Sequence, residues 1–303
     1  MLVNKWMWGL VLAFNALTAL EPISDINVSG GYRNDRFTST IRTFNPDGHD
    51  RIKMTGLNIW EVGADMTLKL PNVFIDRCAC DYWWLSQFYT RGSVYWGRSC
   101  YGHCKEEAKD DFDLILASAR GKVHRAHTFD YNLAIGWLFP FNYSFAMGPV
   151  VGISYNKLNF RVNVDNFPSL DHFRFSSAYH STFVGLDALV DTGCAYLRGG
   201  YEYHILHEWT GNFKVRGDVV DDFAFSDRRV SKRGYGHVLY GEARFPIEDF
   251  YWEWGIKGQL SFFRARRGSC HFYDTHGIEA PDAHTKYAKW LSLSLVADLG
   301  YRF

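Results

Sequence analysis

Six cysteines are the residues of this sequence with the best-defined chemistry. They are Cys78, Cys80, Cys100, Cys104, Cys194 and Cys270. In a protein exported to an oxidising compartment, cysteines form disulfide bonds that brace loops or join chains. The spacing Cys100-x3-Cys104, with His103 between them, offers zinc ligands as an alternative. Which chemistry applies depends on where the fold places these residues.

Charged residues recur at every second position of several apolar segments. The set comprises Glu61, Asp65, Arg91, Asp187, Arg198, Glu202, Glu242, Arg244, Glu253 and Lys257. If these segments cross a membrane, the charges must face away from lipid, because an Arg or Lys among lipid tails costs about 2–4 kcal/mol at mid-depth. Two interpretations follow: ion pairs that fill a narrow lumen, or a small, weakly selective water-filled pore. Ten strands make a barrel barely wider than the ~8-stranded barrels that side chains fill, which favours the filled lumen.

A third group is basic and lies in segments expected at the outer rim. It comprises Arg228, Arg229, Lys232, Arg233, Arg264, Arg266 and Arg267. These side chains could neutralise anionic headgroups of outer-leaflet lipid, and they could equally be solvated loop charges. The chain as a whole has no formal net charge. It therefore offers no basic stripe for nucleic acid.

The elements that must position these residues show period-2 alternation, most clearly at the C-terminus. Apolar residues at every second position from Leu291 to Phe303 alternate with polar or small ones. This is the pattern of a membrane-crossing β-strand. The last apolar positions, Leu299, Tyr301 and Phe303, resemble the recognition strand of outer-membrane proteins, which implies the barrel-assembly machinery as a partner.

Nine further segments support the same architecture. The ten predicted strands lie near residues 24–38, 60–69, 84–96, 132–137, 151–156, 184–190, 197–205, 239–245, 252–262 and 291–303. An even number is typical of bacterial single-chain barrels. The predicted fold is all-β, a closed antiparallel transmembrane β-barrel of ten strands, with eight or twelve as alternatives.

The connections alternate between short and long. Short ones are predicted at residues 70–72, 139–143, 191–193 and 246–249, and long polar ones at 39–53, 97–123, 164–176, 208–234 and 266–286. Short periplasmic turns and long outer loops are the usual asymmetry of such barrels. Cys78, Cys80 and Cys194 then lie on the periplasmic side and the other three cysteines in outer loops. Odd numbers on each side predict that one thiol per side pairs with another envelope protein, with local disulfides as the alternative.

The N-terminus predicts export. Lys5 is followed by an apolar run to Leu20, with small residues before the polar Glu21. This is typical of a cleaved secretory signal over residues 1–20, leaving residues 21–303 as the barrel domain. An uncleaved anchor is the alternative, although the run is short for a membrane span of roughly 20 residues.

Several stretches resemble the Protochlamydia-type outer membrane proteins of chlamydia-like bacteria. They are residues 89–97 (YTRGSVYWG), 131–139 (YNLAIGWLF), 149–156 (PVVGISYN) and 183–190 (FVGLDALV), together with the C-terminal strand. The resemblance implies a barrel in the outer membrane of an envelope that relies on disulfide cross-linking. It also suggests porin activity.

The strand count invites comparison with omptins, ten-stranded outer-membrane aspartyl proteases. Omptins place an Asp pair and an Asp-x-His pair at the outer mouth, where they activate water. The corresponding candidates are Asp111, Asp113, Asp274 and His276, but the Asp-x-His pair falls in the fifth outer loop instead of the fourth. We therefore expect a porin-like or envelope-structural barrel without catalysis, cofactor or metal. An omptin-like protease and a surface adhesin or lipid-binding barrel are the alternatives.

Overall fold

The computed structural model describes residues 24–42, 48–69, 87–109, 115–164, 172–216, 226–247, 251–273 and 279–303. The strands within these ranges are β1 Asp25–Arg42, β2 His49–Lys69, β3 Phe88–Lys109, β4 Ile115–Trp137, β5 Phe139–Asn142, β6 Phe145–Val164, β7 His172–Asp191, β8 Tyr196–Arg216, β9 Ser226–Ser231, β10 Arg233–Pro246, β11 Trp252–Tyr273 and β12 Glu279–Arg302. In these ranges, no helix is both long and apolar enough to cross a membrane.

The strands form a closed antiparallel ring. The order runs β10-β11-β12-β1-β2-β3-β4-β6-β7-β8, and β8 pairs with β10 to close it. β9 pairs with the same two neighbours, β8 and β11, so β9 and β10 act as one strand interrupted at Lys232. β5 is a short strand at the turn before β6. The predicted ten-stranded barrel is therefore confirmed.

The strands are longer than the sequence pattern predicted. β1 has 18 residues and β12 has 24, whereas crossing a bilayer takes roughly 9–11 tilted residues. Most of the five ranges predicted as long outer loops is therefore strand; for example, residues 97–109 and 115–123 belong to β3 and β4. The sequence pattern missed these strand extensions because they carry polar residues on their outward face. Such a composition is also typical of loops.

The half of the barrel nearer the chain termini has an apolar outer surface. On β12 this membrane half is residues 291–302, and the rest of that strand belongs to the outer half. Its outward residues form an apolar belt that includes Val28, Trp60, Val62, Val94, Leu133, Ile135, Val151, Ile153, Val184, Leu186, Leu239, Ile256, Leu260, Leu293, Leu295 and Leu299. An apolar band of this kind matches the hydrocarbon of a membrane.

The outer half reverses this polarity. Its interior holds the main hydrophobic cluster, which includes Phe37, Ile52, Met54, Leu57, Leu158, Phe160, Phe175, Tyr179, Leu206, Trp209, Phe213, Phe263 and Trp290. Outward residues of the same strand segments are mostly polar or charged, such as Lys53 and Arg174. This part of the wall is packed like a water-soluble β-protein.

The described connections at the periplasmic end are short. In the turn between β7 and β8, the Gly193 N–H donates to Asp191 Oδ1 at 2.7 Å, and the positive φ of Gly193 (82°) suits glycine there. The predicted short turn at residues 70–72 lies outside the described residues, and β3 begins at Phe88 instead of near residue 84.

Candidate functional site: the barrel interior

The lowest layer of the lumen centres on Arg244. Its Nη1 lies 2.9 Å from Glu253 Oε1 and 3.2 Å from Asp25 Oδ1. Its Nη2 lies 3.1 Å from Asp65 Oδ1, and its Nε contacts Glu242. One buried guanidinium thus joins carboxylates from β1, β2, β10 and β11 across the barrel.

The next layer centres on the carboxylate of Asp187, which is 1% exposed. It accepts hydrogen bonds from the hydroxyls of Tyr89 and Tyr240. Arg91 Nε lies 3.3 Å away and Arg198 Nη2 lies 3.6 Å away. Two hydroxyls and two guanidinium groups thus surround this buried carboxylate and stabilise its negative charge in the lumen.

Above this lies a chain that runs from Arg91 to two serines. Arg91 Nη2 donates to Glu202 Oε1 at 2.5 Å, and His204 Nε2 lies 2.8 Å from Glu202 Oε2. His204 Nδ1 lies 2.9 Å from Ser181 Oγ and 3.1 Å from Ser154 Oγ. Because a carboxylate can only accept, His204 Nε2 carries a proton.

The Glu202–His204–serine series has the order of a nucleophile-activating triad, in which a base oriented by a carboxylate takes the serine proton. Access argues against that use. The rings of Phe183 and Phe263 lie 4.8 Å and 5.2 Å from the His204 ring, and both serines are buried. Ser154 and His204 border the polar cavity of the lumen and Ser181 does not, and the two serine hydroxyls lie 2.7 Å from each other. The series therefore serves as a buried polar network.

The uppermost charged layer centres on Arg33. It binds Asp35 in a bidentate pair, with Nε–Oδ1 at 2.8 Å and Nη2–Oδ2 at 2.9 Å. Its Nη1 donates to Asp130 and lies 3.6 Å from Glu61 Oε2. The guanidinium also lies 4.9 Å from the centre of the Trp290 ring, where the polar interior meets the hydrophobic cluster.

Between these layers lies a polar cavity of about 80 Å³. Its lining includes Arg33, Glu61, His204, Lys257, Gln259 and Ser292. At about 10–15 Å³ of such space per water, it has room for about five waters. Smaller cavities of about 30 Å³ lie nearer the periplasmic end. The membrane half of the lumen therefore contains one cavity of several waters' volume and smaller spaces adjoining it.

The hydrophobic cluster closes the interior above the cavity. The Tyr179 ring centre lies 5.6 Å from that of Phe263 and 5.7 Å from that of Trp290. Trp209 packs beside Tyr179, and its Nε1 donates to Ser177 Oγ at 2.8 Å. These aromatic side chains are at most 2% exposed. Within the described ranges, side chains therefore cross the barrel interior at two levels. These are the charged layers of the membrane half and the aromatic cluster of the outer half.

The structure places all ten residues of the predicted charged set in the lumen of the membrane half. The residues that contact this charged set were harder to predict from the sequence. Arg33 and Asp35 lie in a stretch without a clean apolar alternation, and Tyr89 and Tyr240 are aromatic residues that a girdle would also explain. The alternation of charge with apolar residues identifies the lumen face, but the contacts across it join residues such as Arg91 and Glu202 that are 111 positions apart.

The structure describes the side chains of three of the six cysteines, in two environments. Cys194 is exposed in the periplasmic turn between β7 and β8, as expected. Cys104 and Cys270, expected in outer loops, lie instead in β3 and β11, and both are buried free thiols. Cys100 lies in β3, but its side chain is not among those described, and Cys78 and Cys80 lie outside the described residues.

The zinc alternative finds no support in the described part of the chain. Cys104 faces the interior, whereas His103 faces outward and pairs with the Tyr101 hydroxyl at 2.8 Å. These two side chains cannot share an ion. In the described ranges, no three residues among His, Cys, Asp and Glu are grouped to hold a metal.

The prediction that seven cations lie at the outer rim is wrong for Arg229. Arg229 is 2% exposed and faces inward, where its Nη2 lies 2.6 Å from Asp227 Oδ2 and its Nη1 donates to Ser39 Oγ at 2.8 Å. Arg229 lies in strand β9, and alternate side chains of a strand face the barrel interior. A loop would not impose this alternation. The others, Arg228, Lys232, Arg233, Arg264, Arg266 and Arg267, are exposed or half-buried.

Two groups of predicted residues remain, the omptin-like candidates and the last apolar positions of the chain. The omptin-like candidates Asp111, Asp113, Asp274 and His276 all lie outside the described residues. The terminal positions Leu299, Tyr301 and Phe303 face outward and are 52%, 38% and 63% exposed.

Comparison with known families decides the assignment. The sequence model of the Protochlamydia outer membrane protein matches residues 27–303. The chain belongs to the Protochlamydia outer membrane protein family. No curated protein matches the sequence.

A solved structure agrees with this family assignment at the level of fold. The outer membrane protease OmpT from Escherichia coli is similar with a TM-score of 0.71 and 12% identity, covering 94% of this chain and 98% of that one. A Pseudomonas aeruginosa FadL homologue is more distant, with a TM-score of 0.31, 10% identity and coverage of 95% and 92%. This member of the Protochlamydia outer membrane protein family is thus an outer-membrane β-barrel.

Proposed function

We propose that this protein is a structural barrel of the outer membrane, closed to solutes and without catalysis in its lumen. The observation that supports it is the double closure of the interior. Layers of ion pairs cross the membrane half around a cavity of about 80 Å³, and the aromatic cluster of Tyr179, Trp209, Phe263 and Trp290 packs across the outer half. Porin activity would instead require a continuous water path of solute width.

Solute flux tests this proposal. Vesicles containing the refolded barrel are loaded with a small sugar and compared with protein-free vesicles and with vesicles containing a general porin. We expect release at the protein-free rate, while the porin empties its vesicles. Release at a rate that rises with the amount of folded barrel would overturn the proposal.

A structural role is also supported by an exposed thiol on the periplasmic side. Cys194 lies at the tip of a tight turn, whereas Cys104 and Cys270 are buried. We propose that Cys194 joins the barrel to another envelope protein by a disulfide bond. Non-reducing gels of whole envelopes should show a larger species that is lost in Cys194→Ser and kept in Cys270→Ser. A species that persists in Cys194→Ser contradicts this assignment.

The C-terminal strand supports a second partner, the barrel-assembly machinery. Leu299, Tyr301 and Phe303 form an outward apolar row at the end of β12, where a recognition signal is accessible before the barrel closes. We expect Phe303→Ala to reduce the heat-shifted, folded band in cells but not in detergent refolding. Equal losses in both settings would indicate a stability effect instead.

An omptin-like protease activity depends on Asp111, Asp113, Asp274 and His276, and no observation among the described residues favours it. The likeness to OmpT, at 12% identity, concerns the fold.

A further inference from the structure

The outer surface directly above the apolar belt is basic. Outward cations or histidines stand at this level on neighbouring strands, where Arg98 pairs with His127, Tyr155 with His180, and Arg264 with Lys289. Of the acidic residues whose side chains are described, only Glu107 and Glu208 lie on the outer face of the outer half. The surface at the upper membrane boundary is therefore suited to negative charge.

The charge is densest on β10, β11 and β12. Two rows of paired residues face outward there: Tyr235, Arg264 and Lys289 in the lower row, and Arg233, Arg266 and Tyr287 in the upper row. We call these six residues the β10–β12 patch. Strand spacing of about 4.8 Å and a two-residue rise of about 6.8 Å put four cations within roughly 10 by 7 Å.

Aromatic rings lie against three of the four cations of this patch. The Arg266 guanidinium lies 4.9 Å from the centre of the Tyr235 ring. The Arg264 guanidinium and Lys289 Nζ lie 5.8 Å and 4.7 Å from the centre of the Tyr287 ring. Hydrogen bonds from Arg266 and Arg264 lower the pKa of the Tyr235 hydroxyl. Cations held this way lose less freedom when they bind a ligand.

The patch also lies directly on the hydrocarbon boundary. The row below it is His237, Phe262 and Leu291, and the next is Leu239, Leu260 and Leu293. A ligand on this surface would have its charge against the patch and its apolar part against the belt. Neither Glu107 on β3 nor Glu208 on β8 lies on the three strands of the patch.

We propose that the β10–β12 patch is a docking site for an outer-leaflet lipid whose headgroup carries two or more phosphate groups. Two phosphate groups bring about three to four negative charges, which matches four cations. Guanidinium groups bind phosphate in a bidentate manner, and three of the four cations are arginines, of which Arg264 and Arg266 each lie against a tyrosine ring. The acyl chains pack on Leu239, Leu260 and Leu293. The site is independent of whether the lumen conducts.

Lipid retention measured by native mass spectrometry tests the proposal. The folded barrel in detergent is titrated with diphosphoryl lipid A, monophosphoryl lipid A or phosphatidylglycerol. We expect one diphosphoryl lipid A to be retained, with monophosphoryl lipid A weaker by about tenfold, since one charge-assisted contact is lost. Equal retention of all three lipids would overturn the proposal.

A matched pair of variants separates a site from general charge attraction. Arg264→Gln/Arg266→Gln should weaken diphosphoryl lipid A binding by about tenfold or more. Arg98→Gln/Lys157→Gln removes the same charge from β3 and β6 and should change it by less than about threefold. The heat-shifted gel band verifies that each variant is folded. Equal losses in both variants, or none in the first, would contradict a site at the patch.

Discussion

The membrane half and the outer half of this barrel have opposite polarities although the same strands run through both. In the membrane half, apolar residues such as Leu295 face outward and charges such as Arg244 face the lumen. In the outer half, aromatic residues such as Trp209 fill the interior and cations such as Arg266 face outward. The medium outside the wall, lipid or water, decides which face of each strand must be apolar.

Different forces hold the two halves together. The membrane half has only small buried apolar clusters, such as Ala134, Val150 and Phe183, so its interior depends mainly on the pairing of buried charges. The outer half has a hydrophobic core like that of a soluble protein, and its stability depends on packing. Substitutions of the same chemical type should therefore have different effects in the two halves.

The largest expected effect comes from removing the cation of the lowest lumen layer. Arg244→Ala leaves Glu242, Glu253 and Asp65 without their shared partner, and breaking such a buried network costs about 3–5 kcal/mol. Urea unfolding in detergent micelles measures the loss. The exposed Arg36→Ala should stay within about 0.5 kcal/mol of wild type. Similar stabilities for the two variants would show that the network does not support the barrel.

A pair of tryptophans tests the packing of the outer half. Trp209 is fully buried in the aromatic cluster, whereas Trp60 is 72% exposed on the lipid-facing belt. Trp209→Ala should cost about 3–5 kcal/mol in the same unfolding measurement, because it leaves a cavity in a packed core. Trp60→Ala leaves no cavity and should cost clearly less. The reverse order would contradict a packed outer core.

Placing a new arginine on the two outer surfaces tests the change of medium. Leu295→Arg puts a charge in the middle of the belt and should destabilise the folded barrel by about 2–4 kcal/mol. Ser176→Arg adds the same group to the outward face of β7 in the outer half, between Asn159 and Asn212, and should change stability by at most about 0.5 kcal/mol. If both variants were tolerated, the assignment of the belt to lipid would be wrong.

The smallest effect expected is a pH dependence in the outer half. Burial, together with the negative charges of Asp50 and Asp227, raises the pKa of Glu106 to about 7, partly offset by Arg229. Between its ordinary pKa of 4.5 and this value, the folded barrel holds a proton that the unfolded chain has lost. Stability should therefore fall as the pH rises from about 4.5 to about 7.

Matched variants isolate this contribution. Glu106→Gln should flatten the decline over that pH range, whereas Glu107→Gln, on the outward face beside Lys105, should leave it unchanged. Unfolding curves at several pH values provide the measurement. A decline that survives in Glu106→Gln would assign it to another group.

The sequence predicted the membrane half better than the outer half. Alternation in residues 252–262 and 291–303 identified β11 and β12 because lipid demands an uninterrupted apolar face over that length. In the outer half, Phe173 and Phe175 alternate with Arg174 in the same way, but the charged outward face made this segment look like a loop. The inward position of Arg229 was missed for the same reason.

Contacts across the lumen could not be predicted from the sequence. The series Arg91–Glu202–His204 and the contact between Arg33 and Asp130 join distant strands, and their partners depend on the stagger of all ten strands. The alternation rule says which side chains enter the lumen. It does not say which of them meet.

The central claim, that side chains close the barrel at two levels, is tested most directly by planar-bilayer recording of the folded protein. We predict no conductance steps for wild type. The double variant Trp290→Ala/Arg91→Ala shortens one side chain at each of the two closed levels and should produce conductance steps. The control Trp96→Ala/Arg98→Ala removes the same residue types from the outer surface and should give no steps. Discrete steps in wild type, equal in size to those of the opened variant, would contradict the account.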